Sequence, residues 1–201
     1  MGVFEAILSD NELLILKEQL GKEFLSVLSP SIDIRLNENH YLFYEEISLS
    51  IGKMFLVISN EWLESKKYED YWRLKLKFQD YPEKINYQID KTFGKMISGS
   101  RSSIDIVSAP IINSISIYSR KNEIAGENIY YDEAIIFNTN DGQRYCFSPM
   151  HSIADAIEFR WISDEINVLL AETTGSRSSA PIFLFRGSKN RITAKWIIMV
   201  K

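Results

Sequence analysis

The sequence contains few of the residues that most often perform chemistry in proteins. Among 201 residues there are one cysteine, Cys146, and two histidines, His40 and His151. A single cysteine cannot form an internal disulfide, and it lacks the additional cysteines and histidines that a thiolate zinc site needs. The histidines lie far apart and lack the HExxH spacing of zinc proteases. We therefore predict no catalytic residue, no metal site and no cofactor.

Long apolar runs are also absent. No run approaches the roughly 18 residues that span a bilayer, which predicts that the protein has no membrane partner. The first lysine or arginine is Lys17, so the chain start lacks the basic segment of a secretory signal. Together with the lone cysteine, which fits a reducing compartment, this predicts a cytoplasmic protein.

Basic residues are in the minority. Twenty-three lysines and arginines stand against 27 aspartates and glutamates, which makes the net charge −4 and the isoelectric point about 5.3. Proteins whose main task is to bind phosphate backbones are usually basic. This charge balance disfavours nucleic acid as a partner and is compatible with a partner protein that is basic.

The composition is that of a globular chain, with 45% hydrophobic, 12% aromatic and 25% charged residues. A chain of this length can bury a sizeable core without metals or disulfides. We predict one domain over residues 1–201, with a possible subdivision near 99–103. Nothing in the sequence indicates an oligomeric state.

The N-terminal region has the spacing of an amphipathic helix. Apolar residues recur at three- and four-residue steps between Asn11 and Leu28, and Ser9 and Asp10 offer N-cap oxygens. The residue before a proline is disfavoured in helical geometry. This predicts a helix over 11–28 that ends at Ser29-Pro30.

The period then changes to the two-residue alternation of strands. The apolar run Met54–Ile58 fits a strand covered on both faces, and Asn60 offers a cap for a short helix over 61–69. The clearest alternation places apolar side chains on one face and basic ones on the other: Trp72, Leu74, Leu76 and Phe78 against Arg73, Lys75 and Lys77.

The second half is also rich in strand patterns. Segments 130–137 and 143–147 flank Asn138–Gly142, whose Asp-Gly pair is typical of a tight hairpin. Further strands are predicted at 104–107, 111–118, 156–162, 182–185 and 194–200, and a helix at 163–172. Neighbouring strands without regular helical crossovers indicate an α+β fold: mainly antiparallel sheet, the N-terminal helix, and one or two short helices packed on the sheet.

Glu45 is the single polar residue in the apolar phase formed by Tyr41, Phe43, Ile47, Leu49 and Ile51. A buried carboxylate must be paired or protonated, and such groups are enriched at functional sites. A strand end or a bulge would instead place it at the surface. Both interpretations stay open here.

Two loops share the sequence Gly-Ser-Arg-Ser-Ser, at 99–103 and 175–179. Their guanidinium groups, hydroxyls and glycine backbone could surround an anion, which makes Arg101, Ser102, Arg177 and Ser178 candidates for a phosphate or carboxylate site. The alternative is that glycine and serine form solvated turns.

Asp132, Asp141 and the pair Glu158 and Arg160 suggest a second kind of site. Their order resembles the Asp, then Glu-x-Lys order of the restriction-endonuclease-like superfamily, with arginine in place of lysine. The resemblance implies a metal-dependent nuclease or phosphodiesterase. Arginine is essentially never deprotonated and cannot act as a base. Asp141 is better explained by its hairpin turn, and surface salt bridges would account for Glu158 and Arg160 equally well.

Arg73, Lys75 and Lys77 form a basic ladder beside several tyrosines, a combination that binds single-stranded nucleic acid on some sheets. Acidic neighbours offset this charge, and lysines also protect exposed strands from pairing with other chains. The ladder is therefore interpreted as a solvated face.

The scarcity of reactive groups favours binding over catalysis. Acidic α+β chains rich in tyrosine and tryptophan suit inhibitors of basic enzymes, among them bacterial immunity proteins that block nuclease toxins. This analogy depends on composition alone. We expect a non-enzymatic module that binds a basic protein, with the metal-dependent nuclease using Asp132, Glu158 and Arg160 as the alternative.

Overall fold

The computed structural model of the chain describes most of the first 150 residues and short pieces beyond them. The described residues are 2–65, 70–90, 92, 94–98, 102–124, 126–150, 156–161, 166–167, 182–185 and 194–196. Arg101, Arg177, Ser178 and most of the predicted helix 163–172 lie outside these residues.

Within the described residues the chain is mostly β-sheet, with one α-helix, α1, at Asp10–Lys17 and two further helical residues, Ile166 and Asn167, inside the predicted helix 163–172. The strands are β1 (Gly2–Ala6), β2 (Phe24–Ser29), β3 (Asp33–Asn37), β4 (His40–Phe43), β5 (Ile47–Ile51), β6 (Met54–Glu64), β7 (Asp70–Gln79), β8 (Asn86–Asp90), β9 (Gly94–Ser98), β10 (Ser102–Asp105), β11 (Ile112–Ile124), β12 (Glu127–Thr139), β13 (Arg144–Pro149), β14 (Ile157–Arg160), β15 (Ile182–Phe185) and β16 (Ala194–Trp196).

The strands form two main sheets. The large sheet has the order β16-β15-β11-β12-β13-β14-β4-β3, with β1 paired in parallel to β12. The small sheet has the order β10-β2-β5-β6-β7, and β8 pairs with β9 in a separate ribbon. Apart from β1 and β12, all described pairs are antiparallel, as the sequence predicts.

The largest core cluster draws side chains from both sheets. Phe137, Phe147 and Phe159 of the large sheet belong to the same cluster as Leu49 and Ile58 of the small sheet. Burial of such side chains stabilises a fold by about 1.5–3 kcal/mol each. Contact between the inner faces of the two sheets therefore supplies much of the apolar burial.

Several local predictions are confirmed. The run Phe55–Ile58 is buried at every position, as expected of a strand covered on both faces. In β7, Leu74 and Leu76 are buried whereas Lys75 and Lys77 are exposed. The hairpin between β12 and β13 has Gly142 at φ 82°, in the left-handed region that favours glycine.

The prediction of one helix over 11–28 is wrong in its second half. Helix α1 ends at Lys17, and Gly21 has φ 80°, a conformation that interrupts a right-handed helix. The chain then continues as β2, which pairs with β5 and β10. Phe24, Val27 and Leu28 are buried there, because packing between the sheets outweighs local helical spacing.

The short helix predicted over 61–69 is also wrong where the chain is described. Strand β6 continues through Glu64, and its last residues pair with β7, as in Glu61 with Arg73 and Trp62 with Trp72. A long antiparallel partner satisfies these backbone groups more completely than one helical turn would. Residues 66–69 lie outside the described part.

Glu45 lies at the surface. It follows the end of β4 at Phe43 and precedes the start of β5 at Ile47, and 46% of its side chain is exposed. Its carboxylate lies 3.4 Å from Lys84 Nζ. The strand end accounts for its polarity and removes it from the candidate sites.

No helix in the described part of the chain has both the length and the apolar character needed to cross a bilayer.

Candidate functional site

Ser102 is the one predicted anion-site residue within the described part, and its hydroxyl is engaged inside the protein. It accepts a hydrogen bond from the Asp33 amide at 2.9 Å and donates toward the Ser31 carbonyl and the Asp33 carboxylate. The side chain is buried. These contacts join β10 at the edge of the small sheet to β3 at the edge of the large sheet. A neighbouring carboxylate opposes anion binding, so the geometry of Ser102 gives an anion site no support.

The structure does not bring Asp132 and Glu158 together. They lie on β12 and β14, which are separated by β13, so strand spacing alone places their backbones at least about 9.6 Å apart. The Asp132 carboxylate accepts hydrogen bonds from the Leu8 amide at 2.7 Å and from Ser119 Oγ at 2.5 Å. Among the described residues, no three histidine, cysteine, aspartate or glutamate side chains are placed to hold a metal.

Glu158 and Arg160 form an ion pair on β14, each with 12% of its side chain exposed. His40 Nε2 lies 3.6 Å from the same carboxylate. Burial acts to raise the pKa of Glu158, but the interaction with His40 and the charge of Arg160 outweigh it, so that pKa lies below its ordinary value. Ion pairing therefore accounts for these residues.

The basic ladder on β7 is matched by carboxylates. Glu61 accepts from Arg73 Nε at 2.7 Å and from Lys75 Nζ at 2.8 Å, and Glu83 accepts from Lys77 Nζ at 2.8 Å. Hydrogen bonds from Lys75 and Arg73 lower the pKa of Glu61 despite some burial. The positive charge of the ladder is thus largely cancelled, which agrees with the interpretation of the ladder as a solvated face.

The structure contains a further feature that the sequence patterns did not identify. It is a groove beside β10, which we call the acidic groove. Its volume is about 300 Å³, the lower limit of typical ligand pockets. Two aspartates and one amide line it together with apolar and aromatic side chains: Asp105, Asp141, Gln143, Ile104, Ile106, Val107, Tyr145 and Trp161.

The walls of the acidic groove are two loops that hydrogen bonds join directly. The Asn140 amide donates to the Ile111 carbonyl, and the Ile111 amide donates to Asn140 Oδ1, both at 2.9 Å. Asp141 Oδ1 accepts from Thr139 Oγ1 at 2.6 Å and from the Gln143 amide at 3.1 Å. The two walls are therefore held in a fixed relation.

Aromatic side chains form the floor. Tyr145 lies edge-on to Phe24, with ring centroids 5.1 Å apart. Trp161 stacks on Tyr41 at 5.2 Å, and the Arg35 guanidinium lies over the other ring of that pair, 5.8 Å from the Tyr41 centroid. This is an aromatic stack that already carries a cation at one end.

The charged side chains that line the acidic groove are both acidic. Burial, assisted by the charge of Asp141, raises the pKa of Tyr145 to about 12, so its phenol stays neutral. None of the lining residues is basic. Within the described part of the chain, neither Asp105 nor Asp141 belongs to an ion pair.

The groove could not be found by pattern because its parts are distant in sequence. Asp141 was explained by its hairpin turn, and Asp105 and Trp161 belong to segments that only strand pairing brings together. Val107 is the apolar last residue of the predicted strand 104–107. In the fold it lines the groove and is 86% exposed, which the sequence pattern does not predict.

Cys146 is not a candidate nucleophile. The thiol is buried, and desolvation raises its pKa to about 12, whereas reactive cysteines have lowered pKa values and access to solvent.

No family model, curated protein or solved structure matches this chain.

Proposed function

We propose that this protein is a non-enzymatic binding module that holds a basic partner protein at the acidic groove. The observation that carries the proposal is a concave surface in which two aspartates border an aromatic floor and no lining residue is basic. The overall charge of −4 has the same sign. Opposite charge on a partner would accelerate its docking.

The rim of the groove offers apolar contact area as well. Val107 is 86% exposed and Ile111 is 39% exposed. Protein interfaces commonly combine such apolar contacts with aromatic anchors and charged neighbours. Trp161, which is half-buried, would provide the aromatic anchor, and the aspartates would select a basic partner.

Binding accounts for the described residues better than catalysis does. The thiol of Cys146 is buried and its pKa is raised, and Glu158 and Arg160 are engaged with each other. Asp132 is bonded to Leu8 and Ser119. We further propose that the protein acts in the cytoplasm as an inhibitor of the immunity type, which would place its partner among basic enzymes.

The test is affinity capture with three forms of the full chain: wild type, the double variant Asp105→Asn with Asp141→Asn, and the charge-matched control Asp80→Asn with Glu5→Gln. Asparagine at 141 retains a side-chain oxygen for the turn. The control removes two exposed charges from other parts of the fold. Captured proteins are identified by mass spectrometry, produced separately and titrated against each form.

We expect a basic protein whose affinity for the groove variant is about tenfold weaker and unchanged for the control, since charge pairs at interfaces can contribute about 1.5 kcal/mol or more. Equal affinity for all three forms would exclude the groove. Failure to capture any protein would count against the binding function. Metal-dependent cleavage of DNA or RNA that is lost in Glu158→Gln would support the nuclease instead.

A further inference from the structure

We propose that the acidic groove is an arginine site, in which a guanidinium group from the partner protein stacks on Trp161 and lies against the carboxylates of Asp105 and Asp141. This inference rests on the proposed function and specifies which side chain the partner presents.

The first argument is an interaction that the chain itself makes. The Arg35 guanidinium lies over Tyr41, and Tyr41 stacks on Trp161 with an interplanar angle of 19°. Trp161 also lines the acidic groove. Phe159 also packs against Trp161 at a tilt of 43°, with ring centroids 5.1 Å apart. A guanidinium would therefore form its cation–π contact with the part of the Trp161 ring that lines the groove, and tryptophan is the ring type that makes the strongest such contacts.

The second argument is the position of the two carboxylates. Asp105 ends β10 and Asp141 lies in the hairpin turn, so the two charges that line the groove come from two different segments of the chain. Thr139 Oγ1 and the Gln143 amide both donate to Oδ1 of Asp141. Arginine presents five donors in a planar arrangement suited to carboxylates, so one guanidinium can contact both segments.

The third argument distinguishes arginine from other cations. Calcium and magnesium need six or more oxygen ligands, whereas the groove is lined largely by Ile104, Ile106, Val107, Tyr145 and Trp161. A lysine ammonium is compact and strongly hydrated, which makes its transfer onto an apolar floor more costly. The planar and weakly hydrated guanidinium fits an apolar floor with acidic edges.

The exposed apolar rim indicates that the guanidinium belongs to a polypeptide. Val107 and Ile111 flank the loop at the groove, where a free small cation would leave them in water. A peptide chain that inserts an arginine would cover these side chains with its neighbouring residues. Apolar contacts around a central polar anchor exclude water and strengthen the anchor.

The test uses three short peptides, acetyl-Gly-Xaa-Gly-amide, in which Xaa is arginine, lysine or citrulline. Citrulline has nearly the shape of arginine without its charge. The full-length protein is titrated with each peptide while the indole N–H resonances are followed by NMR, and Trp161→Phe identifies the signal of Trp161. Asp105→Asn tests the charge, Asp80→Asn is its matched control, and calcium chloride is titrated separately.

We expect the arginine peptide to shift the Trp161 resonance saturably and to bind roughly threefold or more tightly than the lysine peptide, with no saturable shift from citrulline. Asp105→Asn should weaken binding about two- to fivefold, the usual range for a partly exposed ion pair, and Asp80→Asn should leave it unchanged.

Three results would overturn the inference: equal binding of arginine and citrulline peptides, no saturable shift with any peptide, or calcium binding that competes at the groove. These results are separable from a failure of the proposed function. A captured partner that depends on Asp105 and Asp141 but contacts them without arginine would leave the binding function intact. If the protein binds the arginine peptide saturably but captures no partner, the result would support the arginine site and not the proposed binding function.

Discussion

The carboxylate of Glu12 joins the start of helix α1 to the edge of the small sheet, because its Oε1 accepts a hydrogen bond from the Leu76 amide at 3.0 Å. Its Oε2 accepts from the Ser9 amide at 2.8 Å and from Ser9 Oγ at 2.7 Å, which completes a capping box. β7 is an edge strand. One side chain therefore caps the helix and occupies a backbone donor of the edge strand.

Replacing Glu12 by alanine should lower the free energy of unfolding by about 2–4 kcal/mol, since it removes the glutamate half of the capping box and leaves the buried Leu76 amide without its partner. Glu12→Gln keeps one carbonyl oxygen and should lose less. Urea unfolding measures both. The control, Glu18→Ala, changes an exposed residue at the end of the same helix and should alter stability by about 0.5 kcal/mol or less. Similar losses for Glu12→Ala and Glu18→Ala would contradict this role.

The pKa of Asp132 is raised, because burial outweighs its hydrogen bonds from Ser119 and Leu8. A raised pKa in the folded state means that folding favours the protonated carboxyl, so this group lowers stability as the pH rises through its titration. The asparagine side chain in Asp132→Asn does not titrate. The difference in unfolding free energy, variant minus wild type, should therefore increase from about pH 4 upward.

That difference is obtained from urea unfolding of both proteins at several pH values. Subtracting wild type from variant cancels the contributions of the other titrating groups. A flat difference would show that the hydrogen bonds offset burial at Asp132, and a difference that falls with rising pH would show that they outweigh it; either result would contradict the prediction. Glu5→Gln, at an exposed position on β1, is the control for the removal of one surface carboxylate.

Cys146 should resist modification in the folded protein, since its thiol is buried and its pKa is raised to about 12. At about pH 8 an ordinary thiol is partly ionised and reacts readily. We expect thiol reagents to label the protein only after unfolding, with a rate in native buffer that follows the unfolding equilibrium. Mass spectrometry of native and urea-unfolded samples checks this. Rapid stoichiometric labelling of the native protein would contradict it.

Substitution of Ser102 distinguishes a structural role of its hydroxyl from the predicted role in an anion site. Ser102→Ala removes the hydroxyl that joins β10 to Asp33 and Ser31, and should lower the unfolding free energy by about 1–2 kcal/mol. Ser103→Ala changes an exposed neighbour on the same strand and should have little effect. In thermal unfolding, phosphate should affect wild type and Ser102→Ala equally. Phosphate stabilisation that disappears in Ser102→Ala would instead support the anion site.

Local sequence patterns identified structure where the partner of a segment lies next to it in the chain. The alternation in β7 and the Asp-Gly turn before β13 depend on side-chain period and on the φ of Gly142, which neighbouring residues determine. Apolar spacing failed at β2, since Phe24, Val27 and Leu28 also satisfy helical spacing. Only pairing with β5 and β10 distinguishes the two conformations.

Residue content and charge sign were determined by the sequence itself: one cysteine, two histidines and an excess of acid. The proposal of binding and not chemistry starts from them. The position of that acid was decided by tertiary structure. Asp105, Asp141 and Trp161 become neighbours because β10 and the β12–β13 turn are joined through Ile111 and Asn140 while β14 delivers the tryptophan. Contacts over such sequence separations depend on closing long loops and packing two sheets, which no local period encodes.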